Sequence, residues 1–156
     1  DNADFIDSDN SKEIVNYNLA CFHFYRARAQ SFDITNDYEL ALDHISKVNT
    51  HFYLKKITIF DILIITYFEL DEIDMMFYQC DSYNHYLKVC RNLMPSAEME
   101  KIRNFNKFAH ALGKLKSDFK KREFEKLAAE IEPELNCTHK DWLLSKIALF
   151  RKKQKA

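Results

Sequence analysis

Three stretches of this chain share one pattern: "DYELALDHI" at 37–45, "EIDMMFYQC" at 72–80 and "EFEKLAAEI" at 123–131. Each opens with an acid, a large apolar residue and a second acid, and further apolar residues follow three, four and seven positions after the first apolar one. This spacing places the apolar side chains on one face of a helix. The paired acids fall in the first turn, where carboxylates interact favourably with exposed N–H groups and the helix dipole. The pattern therefore predicts three helices that each bury one stripe.

Each of these helices is predicted to be the second helix of a hairpin. Hairpins that leave one face uncovered bury it by stacking on their neighbours. We therefore predict an all-α fold of antiparallel helical hairpins, stacked as a short right-handed α-solenoid of about seven helices. The three stripes contain Tyr38, Ala41, Leu42, Ile45 and Val48, then Ile73, Met76, Phe77, Cys80 and Leu87, then Phe124, Leu127, Ala128 and Ile131.

Composition supports helices over strands. The chain has 156 residues, one Gly and two Pro, so it lacks the turn residues that many short strands or a phosphate-binding loop would need. Its length suits one domain with a continuous core. We predict an acidic, disordered lead-in at 1–10, a single helical-repeat domain at 11–151 and a basic tail at 152–156.

Capping residues and proline set the predicted helix boundaries. The first helix should start near Asn10 or Ser11, and Asn36 should cap the second, which ends near Asn49. The later helices are predicted at about 52–70, 72–91, 97–118 and 121–132, with a seventh that Thr138 and Asp141 cap and that ends near 151. Gly113 is expected to bend or weaken the fifth helix. A second apolar face on the fourth helix predicts that it is sandwiched within the stack: Met75, Tyr78, Tyr86 and Val89.

Two segments resemble the tetratricopeptide repeat. "TYFELDEIDMMF" at 66–77 resembles the hinge between the two helices of that repeat, and "NDYELALDHI" at 36–45 resembles the opening of its second helix, with Ala41 at the small position. No Gly stands at the first-helix Gly position, and the period is irregular. The runs "FDILIITYFELDEID" at 60–74, "NFNKF" at 104–108, "EKLAAEIE" at 125–132 and "DWLLSKI" at 141–147 are similar to the C-terminal part of a group of uncharacterised bacterial helical-repeat proteins, a similarity that covers about residues 50–150. The resemblance implies partner binding on a concave face lined by the first helix of each hairpin.

No pattern indicates a metal, a cofactor or a membrane span. Cys80, His85 and Cys90 are five residues apart on a helix, so their side chains diverge and cannot share an ion. The four cysteines lack C-x-x-C spacing and predict reduced core residues in a cytoplasmic protein. The run "ITIFDILIITYF" at 57–68 is too short to span a bilayer and contains Asp61.

The polar face of the third helix is one candidate contact surface. Asp61 interrupts the most apolar helix, so one hypothesis makes it a buried acid or base with a raised pKa. The favoured interpretation places it on that helix's polar face, exposed on a groove or hydrogen-bonded to a neighbour. The predicted face contains Lys55, Thr58, Asp61, Thr66 and Glu69.

Four residues of the fifth helix form a second candidate, a basic stripe. Arg103, Lys107, His110 and Lys114 recur at intervals of four, three and four, which aligns them on one face. The stripe could hold an acidic peptide or a phosphate backbone, and it is also typical of an ordinary solvated face. The tail "RKKQKA" at 151–156 could contact nucleic acid or simply complement a helix C-terminus.

Charge divides unevenly along the chain. Residues 1–100 hold 8 basic and 17 acidic side chains, and residues 101–156 hold 15 and 7. The leading hypothesis is a non-catalytic helical-repeat module that binds another protein or peptide, with an acidic partner as one form of it, or another part of its own longer chain, through the two surfaces above. Nucleic-acid binding by the basic second half is the alternative, and an enzyme centred on Asp61 is the third. The sequence leaves the oligomeric state open.

Overall fold

The computed structural model describes the backbone of residues 2–155 and the side chains of residues 10–155. Over that range the chain forms seven α-helices and no β-strand, which confirms the all-α prediction. The right-handed stacking stays a prediction. The helices are α1 (Asn2–Arg28), α2 (Ile34–Ile45), α3 (Tyr53–Glu69), α4 (Ile73–Val89), α5 (Ser96–Ser117), α6 (Lys121–Ile131) and α7 (Lys140–Lys155).

The bounds of α3 to α6 agree with the predicted ones to within two residues, and the differences lie elsewhere. α1 begins at Asn2, so residues 2–10 of the acidic lead-in are part of a helix, and Asp1 lies outside the described residues. The predicted cap of α2 is wrong, because the side chain of Asp33 accepts the hydrogen bond from the Asn36 N–H at 3.1 Å and Asn36 lies inside the helix. α7 continues to Lys155, so residues 152–155 of the predicted basic tail are helical, and Ala156 lies outside the described residues.

The chain divides into two compact units, unit 1 (residues 1–72) and unit 2 (residues 73–156), which are described separately. The single domain stays a prediction. None of the helices in residues 2–155 combines the length and the apolar character that crossing a membrane would require.

Unit 1 contains α1, α2 and α3. α1 and α2 are antiparallel, because His23 contacts Asp37 while the earlier Asn16 contacts the later His44. The core of the unit is built from side chains of all three helices, and they are almost fully buried: Ala20, Phe24, Ala27, Tyr38, Ala41, Ile45, Ile62, Ile64, Ile65 and Phe68.

Two helices of unit 1 end in a left-handed residue that is not glycine. Gln30 after α1 has a φ of 59°, and Asp71 after α3 has a φ of 63°. After α1, the N–H of Ser31 donates to the Arg26 carbonyl and the N–H of Gln30 donates to the Ala27 carbonyl. After α3, the N–H of Glu72 donates to the Tyr67 carbonyl and the N–H of Asp71 donates to the Phe68 carbonyl. Both ends are therefore Schellman caps, in which glycine is the usual left-handed residue.

Unit 2 contains α4, α5, α6 and α7. α4 and α5 are antiparallel neighbours, and the Asn106 side chain of α5 donates to the Cys80 carbonyl at 3.0 Å and to Asn84 Oδ1 at 2.8 Å, both on α4. α7 packs on α5, where Trp142 lies 6.3 Å from Phe105 between ring centroids. The core of unit 2 includes Met76, Cys80, Tyr83, Leu87, Phe105, Ala109, Leu112, Phe124, Leu127, Ile131, Leu143 and Ile147.

Gly113 does not interrupt α5, which runs unbroken from Ser96 to Ser117. A Cβ atom at this position would lie 3.0 Å from the sulfur of Met76 and 3.0 Å from a ring carbon of Phe77. The glycine therefore allows α4 and α5 to approach closely, which differs from the predicted bend.

The predicted stripes form much of the core, but most side chains of the predicted second face of α4 are exposed. Tyr38, Met76 and Phe124, one from each stripe, are at most 3% exposed. In contrast, Tyr78 is 63% exposed and Val89 is 70% exposed. The prediction that the second face of α4 is covered is therefore wrong for these side chains.

Candidate binding surfaces

The predicted polar face of α3 is not one continuous exposed surface. Asp61 is 8% exposed and Thr66 is fully buried, so neither presents its side chain freely to a partner. The interpretation of Asp61 as an exposed groove residue is therefore wrong, and the other form of that interpretation, a hydrogen bond to a neighbour, stays a prediction.

The other three residues of this face are half-buried and engaged within unit 1. The Lys55 ammonium lies 5.2 Å from the ring centroid of Tyr17 on α1. The Thr58 hydroxyl donates to the Leu54 carbonyl at 3.2 Å. Glu69 lies near Tyr38 of α2, whose pKa is raised well above its ordinary value, first by burial and then by this carboxylate. The face mainly holds α3 against its neighbours.

The basic stripe on α5 lies on one face of the helix, as the spacing predicts. Arg103, Lys107 and Lys114 are exposed. Lys107 lies 3.7 Å from the Glu130 carboxylate on α6, and both side chains remain accessible to solvent. Its ammonium also lies 5.5 Å from the ring centroid of Phe108. Three residues of the stripe are therefore available to a partner as cations.

His110 differs from the other three residues of the stripe. Its ring packs on Phe77 of α4, with the centroids 4.8 Å apart and the planes 46° apart. Burial lowers the pKa of His110, and the nearby Lys114 lowers it further, while Asp81 on α4 opposes the shift. The imidazole is therefore neutral at neutral pH. The stripe carries three positive charges, and the acids Asp81 on α4 and Glu130 on α6 lie beside it.

A third surface, which the sequence reasoning did not identify, lies where α5 ends, α6 begins and α7 ends. Phe119, in the turn between α5 and α6, stacks on Phe150 of α7 with centroids 5.8 Å apart and planes 24° apart. Phe124 of α6 lies 5.7 Å from Phe119 and 5.8 Å from Phe150, centroid to centroid. These three rings, the aromatic trio, hold the three helix ends together.

The surface around the aromatic trio is strongly basic, and we name it the basic end. Residues 114–126 and 150–155 contain ten Lys or Arg and three Asp or Glu, whereas the whole chain contains 23 and 24. The run "KLKSDFKKR" at 114–122, read together with the tail, is the signal that could have indicated it. The ten residues are Lys114, Lys116, Lys120, Lys121, Arg122, Lys126, Arg151, Lys152, Lys153 and Lys155.

No metal centre is formed by the side chains of residues 10–155, where no three His, Cys, Asp or Glu residues are grouped closely enough to hold an ion. The four cysteines are free thiols. Burial raises the pKa of Cys80 to about 12 and that of Cys137 to about 11. Cysteines in such surroundings are poor nucleophiles, because the thiolate is the reactive form.

Comparisons with known proteins were made for the whole chain. No protein-family model matches it, and neither the curated proteins nor the solved structures include a match. The tetratricopeptide resemblance stays a prediction, and the function is inferred from the surfaces described above.

Proposed function

We propose that this protein is a non-catalytic helical module that binds another protein or peptide. The observation that carries the proposal is the basic stripe on α5, where Arg103, Lys107 and Lys114 are exposed along one face. α5 is the first helix of a hairpin in the predicted repeat. In tetratricopeptide-like arrays this is the helix that lines the partner-binding face, so the resemblance supports the same assignment.

The charges around the stripe favour a protein partner over a phosphate backbone. Glu130 pairs with Lys107, and the field of Asp81 reaches His110. A polyanion would meet these carboxylates next to the cations, and the repulsion would oppose its binding. A protein surface can offer charges of both signs in a complementary arrangement. We therefore expect a partner segment that places its acids on the stripe and its basic groups near Asp81 and Glu130.

Nucleic-acid binding is the second candidate, and the helical C-terminus favours it. Because α7 extends to Lys155, Arg151, Lys152 and Lys153 are held on an ordered helix. Such binding would weaken steeply with salt, since each neutralised phosphate releases counterions.

The test is affinity capture from a lysate of the native cells, with and without nuclease and with mass-spectrometric identification. The wild-type chain is compared with the Arg103→Glu, Lys107→Glu, Lys114→Glu variant. A matched control reverses three exposed charges outside the stripe: Lys12→Glu, Lys47→Glu and Lys88→Glu. Circular dichroism verifies that each variant keeps its helical signal.

A discrete set of proteins that survives nuclease, binds the control and is lost by the stripe variant would support the proposal. Equal capture by the stripe variant and the wild type would show that the stripe is not the binding surface. Capture that disappears with nuclease would replace the proposal with the nucleic-acid alternative.

A further inference from the structure

The basic end combines a strong positive charge with an apolar cavity. The cavity lies beside the aromatic trio and has a volume of about 430 Å³. Its walls are apolar, formed by Leu115, Phe119 and Phe150, and its rim carries Lys116, Lys153 and Gln154. Pockets for ligands and anchor side chains commonly have volumes of this order and mostly apolar linings. The chemistry of the walls and the rim suits a ligand with an apolar body and negative charges next to it.

The positive charge at this end is only partly neutralised. Lys120 lies 3.7 Å from Asp118 and 3.9 Å from Glu123, so two of the three local carboxylates contact one lysine. Arg151 contacts Glu132, the residue that follows α6. Lys153 lies on the cavity rim and is exposed, as is Lys152 beside it. An acidic ligand would therefore approach a surface whose cations outnumber its carboxylates.

Phe119 supplies the accessible apolar surface in this cavity. It is 41% exposed, whereas Phe124 is 3% exposed. One face of the Phe119 ring is stacked on Phe150, and Phe124 is tilted against both rings. A stacked base needs an open aromatic face, and these contacts reduce the face that Phe119 can offer. A peptide side chain in the cavity needs contact only with the cavity walls and does not need an open aromatic face. The packing of the three rings therefore favours a peptide over a single-stranded nucleic acid.

The geometry points to a docking site for an acidic peptide segment whose single apolar anchor enters the cavity lined by Leu115, Phe119 and Phe150, while its Asp and Glu residues contact the basic end. The inference rests on the proposed function, because it names the chemistry of the partner. The docking site uses a surface separate from Arg103 and Lys107, so the docking site and the proposed function can fail independently.

The experiment measures binding of short fluorescent probes to the full chain by anisotropy. One probe is a peptide of Asp and Glu with a single central Phe, and the second replaces that Phe with Ser. The third is an oligothymidine of the same net charge. We expect the wild type to bind the Phe peptide about tenfold or more tighter than the Ser peptide, since a buried aromatic anchor contributes strongly to affinity.

Two variants separate the cavity from the charge. Phe119→Ser should bind the Phe and Ser peptides with equal affinity, because the anchor loses its wall. Lys116→Glu with Lys153→Glu should weaken both peptides by about tenfold or more through the lost charge complementarity. The matched control, Lys88→Glu with Arg91→Glu, reverses two exposed charges away from the cavity and should bind like the wild type.

Equal affinity of the wild type for the Phe and Ser peptides would overturn the inference, as would tighter binding of the oligothymidine than of the Phe peptide. An equal loss of affinity in the control variant would also overturn it, because the effect of charge would then not be specific to the basic end. The peptide comparison uses the wild type alone, so it decides the matter even where Phe119→Ser does not fold. Loss of lysate capture by the stripe variant bears on the proposed function and leaves these outcomes unchanged.

Discussion

The side chains of His23 on α1 and Asp37 on α2 meet inside unit 1, where Nδ1 of His23 donates to Oδ1 of Asp37 at 3.0 Å. The other carboxylate oxygen accepts a hydrogen bond from the Ser31 hydroxyl at 2.5 Å. It also lies 3.4 Å from the Arg26 guanidinium. Asp37 is 2% exposed, so this carboxylate is buried and satisfied on both oxygens. It joins the end of α1 to the start of α2.

Replacement of Asp37 should lower the stability of the protein and weaken the dependence of that stability on pH in acid. The hydrogen bonds from Ser31 and His23, with the charge of Arg26, lower the pKa of Asp37 although burial opposes them. A lowered folded pKa means that the stabilisation is complete above the unfolded value of about 3.9 and is lost as the pH falls through the folded value. We expect Asp37→Asn to lower the urea midpoint near neutral pH and to flatten the loss of stability in acid.

Asp43→Asn is the matched control for this measurement. Asp43 is an exposed α2 carboxylate that pairs with Lys47 at 3.0 Å, and exposed pairs contribute little. Urea unfolding followed by circular dichroism between about pH 7 and pH 2 compares the two variants with the wild type. A parallel acid dependence of Asp37→Asn and the wild type would contradict the assignment.

Gln30→Gly should stabilise the protein. The residue follows α1 at a φ of 59°, a conformation that costs a side chain with a Cβ roughly 1–2 kcal/mol. Glycine removes that strain but loses roughly 0.5–1 kcal/mol of chain entropy. We expect a net gain of up to about 1.5 kcal/mol, measured by urea unfolding.

The same substitution inside a helix supplies the control. Gln79 lies within α4, and Gln79→Gly should lower the stability by about 1 kcal/mol through helix propensity. A loss of similar size in Gln30→Gly would show that the left-handed position carries no strain.

Local signals explain what the sequence could predict of the fold. Capping residues, proline and apolar periodicity place α3 to α6 to within two residues, because these signals act over a few neighbouring positions. The start of α1 was missed because Asn10 resembles a cap, yet the helix continues through it. Asp33 and Asn36 are both suitable caps, and only the structure shows that Asp33 is used.

The candidate sites depended on contacts between distant positions, which the sequence does not show. The spacing aligned the stripe on α5 correctly, but the neutral state of His110 depends on its burial against Phe77 of another helix. Helical phase alone places Asp61 on a polar face, although its side chain is buried in the fold. Phe119 and Phe150 are ordinary aromatic residues in sequence, and their meeting requires three helix ends to converge.

The four thiols, of which those of Cys80 and Cys90 are buried and those of Cys21 and Cys137 are partly exposed, should react slowly in the folded protein. Burial raises the pKa of Cys80 to about 12 and that of Cys137 to about 11, and it also raises the pKa of Cys21 and of Cys90. The thiolate is the nucleophile, so few reactive groups exist near neutral pH. We expect a disulfide reagent to label the native chain far more slowly than the urea-unfolded chain, which should expose four thiols. Fast native labelling of Cys80, located by peptide mass spectrometry, would contradict its burial.

Gly113→Ala should destabilise unit 2, although alanine is the better helix former. On an exposed helix the change would gain about 1 kcal/mol. Here the new Cβ would meet the Met76 sulfur and the Phe77 ring at 3.0 Å, and Met76 is fully buried, so it cannot move into solvent. Overpacking of this kind costs roughly 1–3 kcal/mol. We therefore expect a net loss of up to about 2 kcal/mol in the free energy of unfolding.

A double-mutant cycle with Met76→Ala tests the cause of this loss. Shortening Met76 removes the sulfur that the new methyl group meets, so Gly113→Ala should be less harmful, or even stabilising, in the Met76→Ala background. Ala111→Gly on the same helix reports the propensity effect alone and should lower the stability by about 1 kcal/mol. If Gly113→Ala instead stabilises the wild-type background by that amount, the close approach of α4 and α5 does not require glycine.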